Sequence, residues 1–192
     1  IDFELGEKNL LVTFHPVTLE KSTAKMQFQV LLNSISELIN TKIIFTKANA
    51  DTDGRIINSM IDDYVDNHKN TIAFASMGQL NYLSALQFVD AVVGNSSRGL
   101  LEAPSFKIGT IDIGDRQRGR IKANSVISCL PKKRDIDKAF NQLYSENFQN
   151  IISNVENPYG KGGASKEIVR TIKDIDLDGI LKKPFYDIKD IA

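Results

Sequence analysis

Four short segments of this chain carry residue types that can do chemistry, and each follows an apolar run. The first is HPVT at 15–18, where His15 leaves the run 10–14 and Pro16 biases it toward extended geometry. An imidazole there can bond a phosphate oxygen or pass a proton; taken alone, it reads sooner as a structural histidine satisfied by its neighbours. The second is NAD at 49–51, followed by Asp53 and Gly54. Asn49 and the acids can form an Asx-turn and helix cap. No histidine or further acid is spaced to complete a coordination shell, so no protein-built metal site is expected. The third is GNSSRGLLE at 94–102. Backbone N–H groups and the Ser96 and Ser97 hydroxyls can cradle a phosphate at a helix start, and Glu102, about one turn on, can accept from both hydroxyls of a ribose. The plainer reading is that Ser96 or Ser97 only caps the helix. The fourth is GDRQRGR at 114–120, with Arg116, Arg118 and Arg120 between glycines. Guanidinium forks suit phosphate oxygens, yet such a charge run also fits a solvated loop.

The elements that must position these segments follow from periodicity. Apolar runs predict strands at 10–14, 43–45, 71–75, 91–93, 106–113 and 126–129. Apolar spacings of three and four predict helices at 19–39, 56–65, 80–88, 97–103, 135–153 and 164–175, with Asp135 placed to cap its first turn. Strands alternating with helices and apolar on both sides indicate an α/β fold: a doubly wound, mostly parallel, Rossmann-like sheet covered on both faces. Ligands of such sheets sit beyond the carboxyl ends of the strands, where all four segments fall.

Composition narrows the class. The 24 basic and 24 acidic residues cancel, which gives no footprint for nucleic acid. No run approaches a bilayer span, and no basic-then-apolar leader precedes Asp2, Glu4 and Glu7, so a cytoplasmic protein is expected. The one cysteine, Cys129, lies in an apolar run and reads as a small buried thiol; His68 falls in a polar turn and is assigned no function. A length of 192 residues suits one domain, and the start at Ile1 reads as a fragment or processed piece.

Taken together and in order, HPVT, NAD, GNSSRGLLE and GDRQRGR resemble the hydrolysing UDP-N-acetylglucosamine 2-epimerases, in the branch serving bacterial sialic acid and capsule. The resemblance runs from Leu10 to about Ile175; Asp115 stands where a threonine is common in the animal enzymes, and the loop 47–54 is slightly longer. It implies the C-terminal half of a glycosyltransferase-B-type fold: a nucleotide-binding domain over 1–175, a tail over 176–192, and an N-terminal catalytic domain absent from this chain. It implies that His15, Asn49, Ser96, Ser97, Glu102 and Arg116 line a UDP site, with the diphosphate on Ser96 and Ser97, the ribose on Glu102, and His15, the catalytic candidate, beside the leaving group. Uracil would be read by backbone at the turn of Ser76, Met77 and Gly78.

The reaction so implied eliminates UDP to a glycal and adds water, giving free N-acetylmannosamine or a related sugar. No cofactor is implied. The partners are UDP and a UDP-N-acetylhexosamine, with UDP-N-acetylglucosamine the default and a diacetylbacillosamine derivative the alternative, the absent domain, and a second copy in a full-length homodimer. Carboxylates of that domain would supply the acids and bases, so the chain alone is expected to bind nucleotide and turn over nothing. Two other readings stay open: the donor domain of a glycosyltransferase, and a non-catalytic nucleotide-binding module.

Overall fold

Successive residues of the first strand point into two different cores. Leu10 and Val12 join a cluster with Phe28 and Leu31, whereas Leu11 joins Ile44, Leu86 and Val92, and all three strand residues are at most 1% exposed. A strand apolar on both sides must be covered on both sides, and burying each such side chain contributes about 1.5–3 kcal/mol. The computed structural model describes residues 3–17, 23–49 and 52–182.

Six parallel strands, β1 (Lys8–Thr13), β2 (Thr41–Thr46), β3 (Thr71–Phe74), β4 (Ala91–Gly94), β5 (Gly109–Ile113) and β6 (Val126–Cys129), form one sheet in the order β3-β2-β1-β4-β5-β6. Helices α1 (Ala24–Ile35), α2 (Thr52–Asn67), α5 (Lys133–Leu143) and α6 (Glu146–Ser153) supply the larger core, through residues such as Phe28, Ile57, Phe140 and Ile152. Helix α3 (Gly78–Ala85) and the segment after α4 (Arg98–Leu101) cover the other face through Tyr82, Ala85 and Ala103. The chain order reverses between β1 and β4, which opens the crevice where doubly wound sheets take ligands.

Several elements differ in extent from the sequence reading. The helix expected at 135–153 is two helices, because the Ser145 hydroxyl accepts from the Phe148 N–H at 3.3 Å and starts α6 afresh. Asp135 is not the cap of α5; Lys132 holds that position, and Asp135 lies within the first turn, where its charge suits the helix start. Helix α4 stops after four residues and gives way to a 3-10 turn at Ala103–Phe106, where Pro104 has no N–H to give. Lys107 then takes a left-handed conformation (φ 53°), so β5 begins at Gly109 rather than 106. Helix α1 covers 24–35 of the expected 19–39; residues 19–22 lie outside the described residues.

Contacts group residues 1–159 into one unit and 160–192 into another. Helix α7 (Ala164–Asp174) belongs to the second and buries none of its residues. Among the described residues no helix is long and apolar enough to cross a membrane.

Candidate nucleotide site at the switch point

The ends of β1, β2 and β4 and the turn after β3 meet around a cavity of ≈ 250 Å³ lined by His15, Asn49, Ser76, Met77 and Ser96, together with Thr13 and Thr46. Five residues expected from four separate loops therefore share one cavity. The Thr13 and Thr46 hydroxyls bond each other across β1 and β2. Gly94 makes the crevice possible: its φ is +134°, and a Cβ there would lie 1.9 Å from the Thr13 carbonyl oxygen. Only glycine fits where β4 turns this close to β1.

Sequence reasoning missed the residue that fixes the histidine. Asn95, 1% exposed, accepts from the His15 N–H through Oδ1 at 2.7 Å and donates from Nδ2 to the His15 carbonyl at 2.7 Å. Its own carbonyl accepts from Gln117 Nε2 at 2.8 Å and from an Arg116 Nη at 3.1 Å. Asn95 thus joins three of the four singled-out segments. The signal was present in the GNSS run, but an asparagine after glycine looks like turn chemistry until its partner is seen.

Arg116 is exposed and does not line the cavity; it donates to the Asn95 carbonyl behind the His15 loop. Beyond it, Asp112 on β5 is 1% exposed and pairs with Lys122 at 2.7 Å, which anchors the arginine loop from its far end. Burial raises the Asp112 carboxyl above its ordinary value, opposed by Lys122.

Two cations border the cavity, Lys47 and Arg98, neither anticipated as a contact. Lys47 is bound to Asp62 at 2.6 Å, whereas the Arg98 guanidinium lies 4.3 Å over the Tyr82 ring. Tyr82 is 2% exposed and also lines the cavity. Ser96 Oγ accepts a long 3.4 Å bond from the Arg98 N–H, and the Ser97 hydroxyl makes no capping bond, so capping alone explains little of this pair.

Glu102 stands one turn along, at the end of α4, and does not line the cavity wall. Its Oε2 is buried with no hydrogen-bond partner, and burial raises its carboxyl, opposed by Arg98. Ser76 Oγ accepts from the Gly78 N–H at 3.2 Å, and the Met77 side chain turns into the smaller core, so this turn offers mainly backbone to the cavity. Asp51 lies outside the described residues, and among the described residues no group of three or more His, Cys, Asp or Glu could hold a metal ion.

A parallel sheet in this strand order, with a polar cavity at its reversal, defines the class: a Rossmann-like ligand-binding domain. The chain belongs to the UDP-N-acetylglucosamine 2-epimerase family, whose model matches residues 2–173. The GDP/UDP-N,N'-diacetylbacillosamine 2-epimerase (hydrolyzing) of Campylobacter jejuni is 37% identical over 191 residues, which cover 98% of this chain and 49% of that protein. A polysialic acid biosynthesis protein of Escherichia coli is 37% identical over 186 residues, covering 96% and 47%. The chain thus spans about half the length of the curated relatives it matches. Its fold matches a S. aureus MnaA–UDP co-structure with a TM-score of 0.70 at 21% identity, over 92% of this chain and 47% of that one.

Proposed function

We propose that this chain is the nucleotide-binding half of a hydrolysing sugar-nucleotide 2-epimerase, and that the crevice between β1 and β4 holds the UDP portion of a UDP-N-acetylhexosamine. The observation that carries the reading is the convergence of His15, Asn49, Ser76, Met77 and Ser96, from separate strand ends, on one cavity at the strand-order reversal. In this reading Ser96 and Ser97 hold the diphosphate, with Arg98 offsetting its charge where its guanidinium borders the cavity. Backbone at the turn 76–78 reads the uracil. Glu102 accepts from the ribose, and Arg116 backs the His15 loop through the Asn95 carbonyl.

His15 stands beside the leaving group. Elimination takes the proton from sugar carbon 2 to a base outside this chain, forms the double bond between carbons 1 and 2 and breaks the bond between carbon 1 and the phosphate oxygen, so that negative charge grows on the departing diphosphate. A bond from the imidazole stabilises that charge as it forms. Asn95 keeps the imidazole in place by fixing the backbone that bears it. Water then adds to the glycal, and acids and bases for the sugar come from the half of the relatives' length that this chain does not span. The protein is a 2-epimerase only as that longer polypeptide.

The names of the relatives favour 2-acetamido sugars, with diacetylbacillosamine named in the Campylobacter jejuni protein. The test is product analysis on the full-length protein containing this chain, supplied with UDP-N-acetylglucosamine and with UDP-N,N'-diacetylbacillosamine. The reading expects UDP and a free 2-epimerised sugar from one of them, and none from the 192-residue chain alone. A glycoside, formed only when an acceptor is added, would replace it with a glycosyltransferase.

A further inference from the structure

Helix α2 turns one face to the loop that leaves β2. The side-chain amide of Asn58 accepts from the Ala48 N–H at 2.8 Å and donates to the Ala48 carbonyl at 3.0 Å, the same bracket that Asn95 puts on His15. Four residues on, and so on the same side of the helix, Asp62 holds the Lys47 ammonium at 2.6 Å. The Lys47 N–H in turn donates to the Phe74 carbonyl at 2.9 Å, one residue past the end of β2. Lys47 is thus tied at its own backbone, at the next residue and at the tip of its side chain, and it lies in the cavity wall.

Stability alone does not account for this arrangement. The two partners of the ion pair are 25% and 53% exposed, and a pair so open to water contributes little to the fold. An ammonium has three hydrogens, so its bond to Asp62 leaves others to give. In the sheet β2 and β4 flank β1, so Lys47, after β2, and Arg98, after β4, reach the cavity from either side of the strand that leads to His15. Among the described residues no acid lines the cavity. Two cations flanking a histidine, with no carboxylate between them, suit a ligand that carries negative charge at more than one point. A diphosphate is such a group, and a nucleoside is not.

We propose that Lys47 is a second diphosphate-binding cation, opposite Arg98 across His15, with Asp62 orienting its ammonium and Asn58 its backbone. This rests on the reading of the cavity as a UDP site and adds to it a charged contact from the loop after β2, where the sequence singles out Asn49 and the acids but not the lysine.

Calorimetric titration of this chain, of Lys47→Met and of Lys47→Arg with UDP, inorganic pyrophosphate and uridine tests it. Lys47→Met is expected to bind UDP and pyrophosphate at least about tenfold more weakly, the loss of one charge-assisted hydrogen bond, and uridine as the parent does. Lys47→Arg keeps the charge and retains most of the UDP affinity. Both variants melt close to the parent, since the ion pair they alter is exposed. Undiminished UDP binding by Lys47→Met overturns the proposal. Equal losses for UDP and uridine overturn it too, as damage to the loop, and so does a loss in Lys47→Arg as large as in Lys47→Met. If neither the parent chain nor the full-length protein binds UDP, the reading of the cavity itself falls and takes this contact with it.

Discussion

The side-chain amide of Asn95 brackets the backbone of His15, accepting from its N–H and donating to its carbonyl, both at 2.7 Å. One buried carboxamide on β4's exit thereby substitutes for the ladder bonds that β1 loses as it leaves the sheet. The histidine is carried by a loop, yet both of its backbone polar groups are bonded.

Asn95→Ala leaves both His15 backbone groups without these partners and should cost roughly 1–3 kcal/mol in stability. UDP binding should fall further than that loss of fold explains, because the His15 loop loosens. Asn95→Asp keeps the acceptor but sets a carboxylate against the His15 carbonyl, and should be as damaging above the aspartate range. Denaturant unfolding and nucleotide titration of both variants check this.

Gly94→Ala places a Cβ 1.9 Å from the Thr13 carbonyl oxygen at a φ of +134°. Thermal unfolding should show a loss of about 3 kcal/mol or more, since backbone strain and a clash with rigid backbone add. By contrast, Gly119→Ala, at an exposed turn with nothing near its Cβ, meets only the strain of its φ of +80° and should cost far less.

How much of this could be read in the sequence depends on the range of the interaction. Strand and helix order was legible because burial on both faces leaves a continuous apolar imprint, as in Leu10, Leu11 and Val12. Element ends were less so: Ser145 restarts a helix inside an unbroken apolar period, and only its bond to Phe148 reveals it. His15, Asn49 and Ser96 were legible as candidates, being polar residues at strand exits. Asn95 and the contact of Arg98 with Tyr82 were not, because the first rests on a partner 80 residues away and the second on one 16 away. Neither separation leaves a local pattern.

The site should lose nucleotide on mild acidification. Burial holds the Glu102 carboxyl above its ordinary value, against the pull of Arg98, and only the ionised form accepts from two hydroxyls. Affinity should therefore be constant near neutrality and fall as pH drops through a midpoint above the ordinary carboxylate range, a step missing from Glu102→Gln. The unliganded fold moves the opposite way: a raised folded value means the native state holds this proton more tightly. Its contribution to stability is present below the unfolded value and lost as pH rises through the folded one. The melting difference between the parent and Glu102→Gln across the acid range should run opposite to the change in affinity; parallel trends would contradict the assignment.

Cys129 should be unreactive in the native protein. Burial, then the charges of Asp112 and Asp135, push its thiol up to about 12, so almost no thiolate exists at neutral pH. A maleimide should label it slowly until denaturant is added. Cys129 is only half-buried, so rapid native labelling would mean that its thiol ionises in the folded chain, against the effect of burial and the two carboxylates.

The most direct test of the UDP site is calorimetric titration of this chain with UDP against GDP and ADP, repeated on Glu102→Ala. The account predicts selective binding of UDP that weakens in the variant. Equal affinity for the three nucleotides, or UDP binding that Glu102→Ala leaves unchanged, would contradict it.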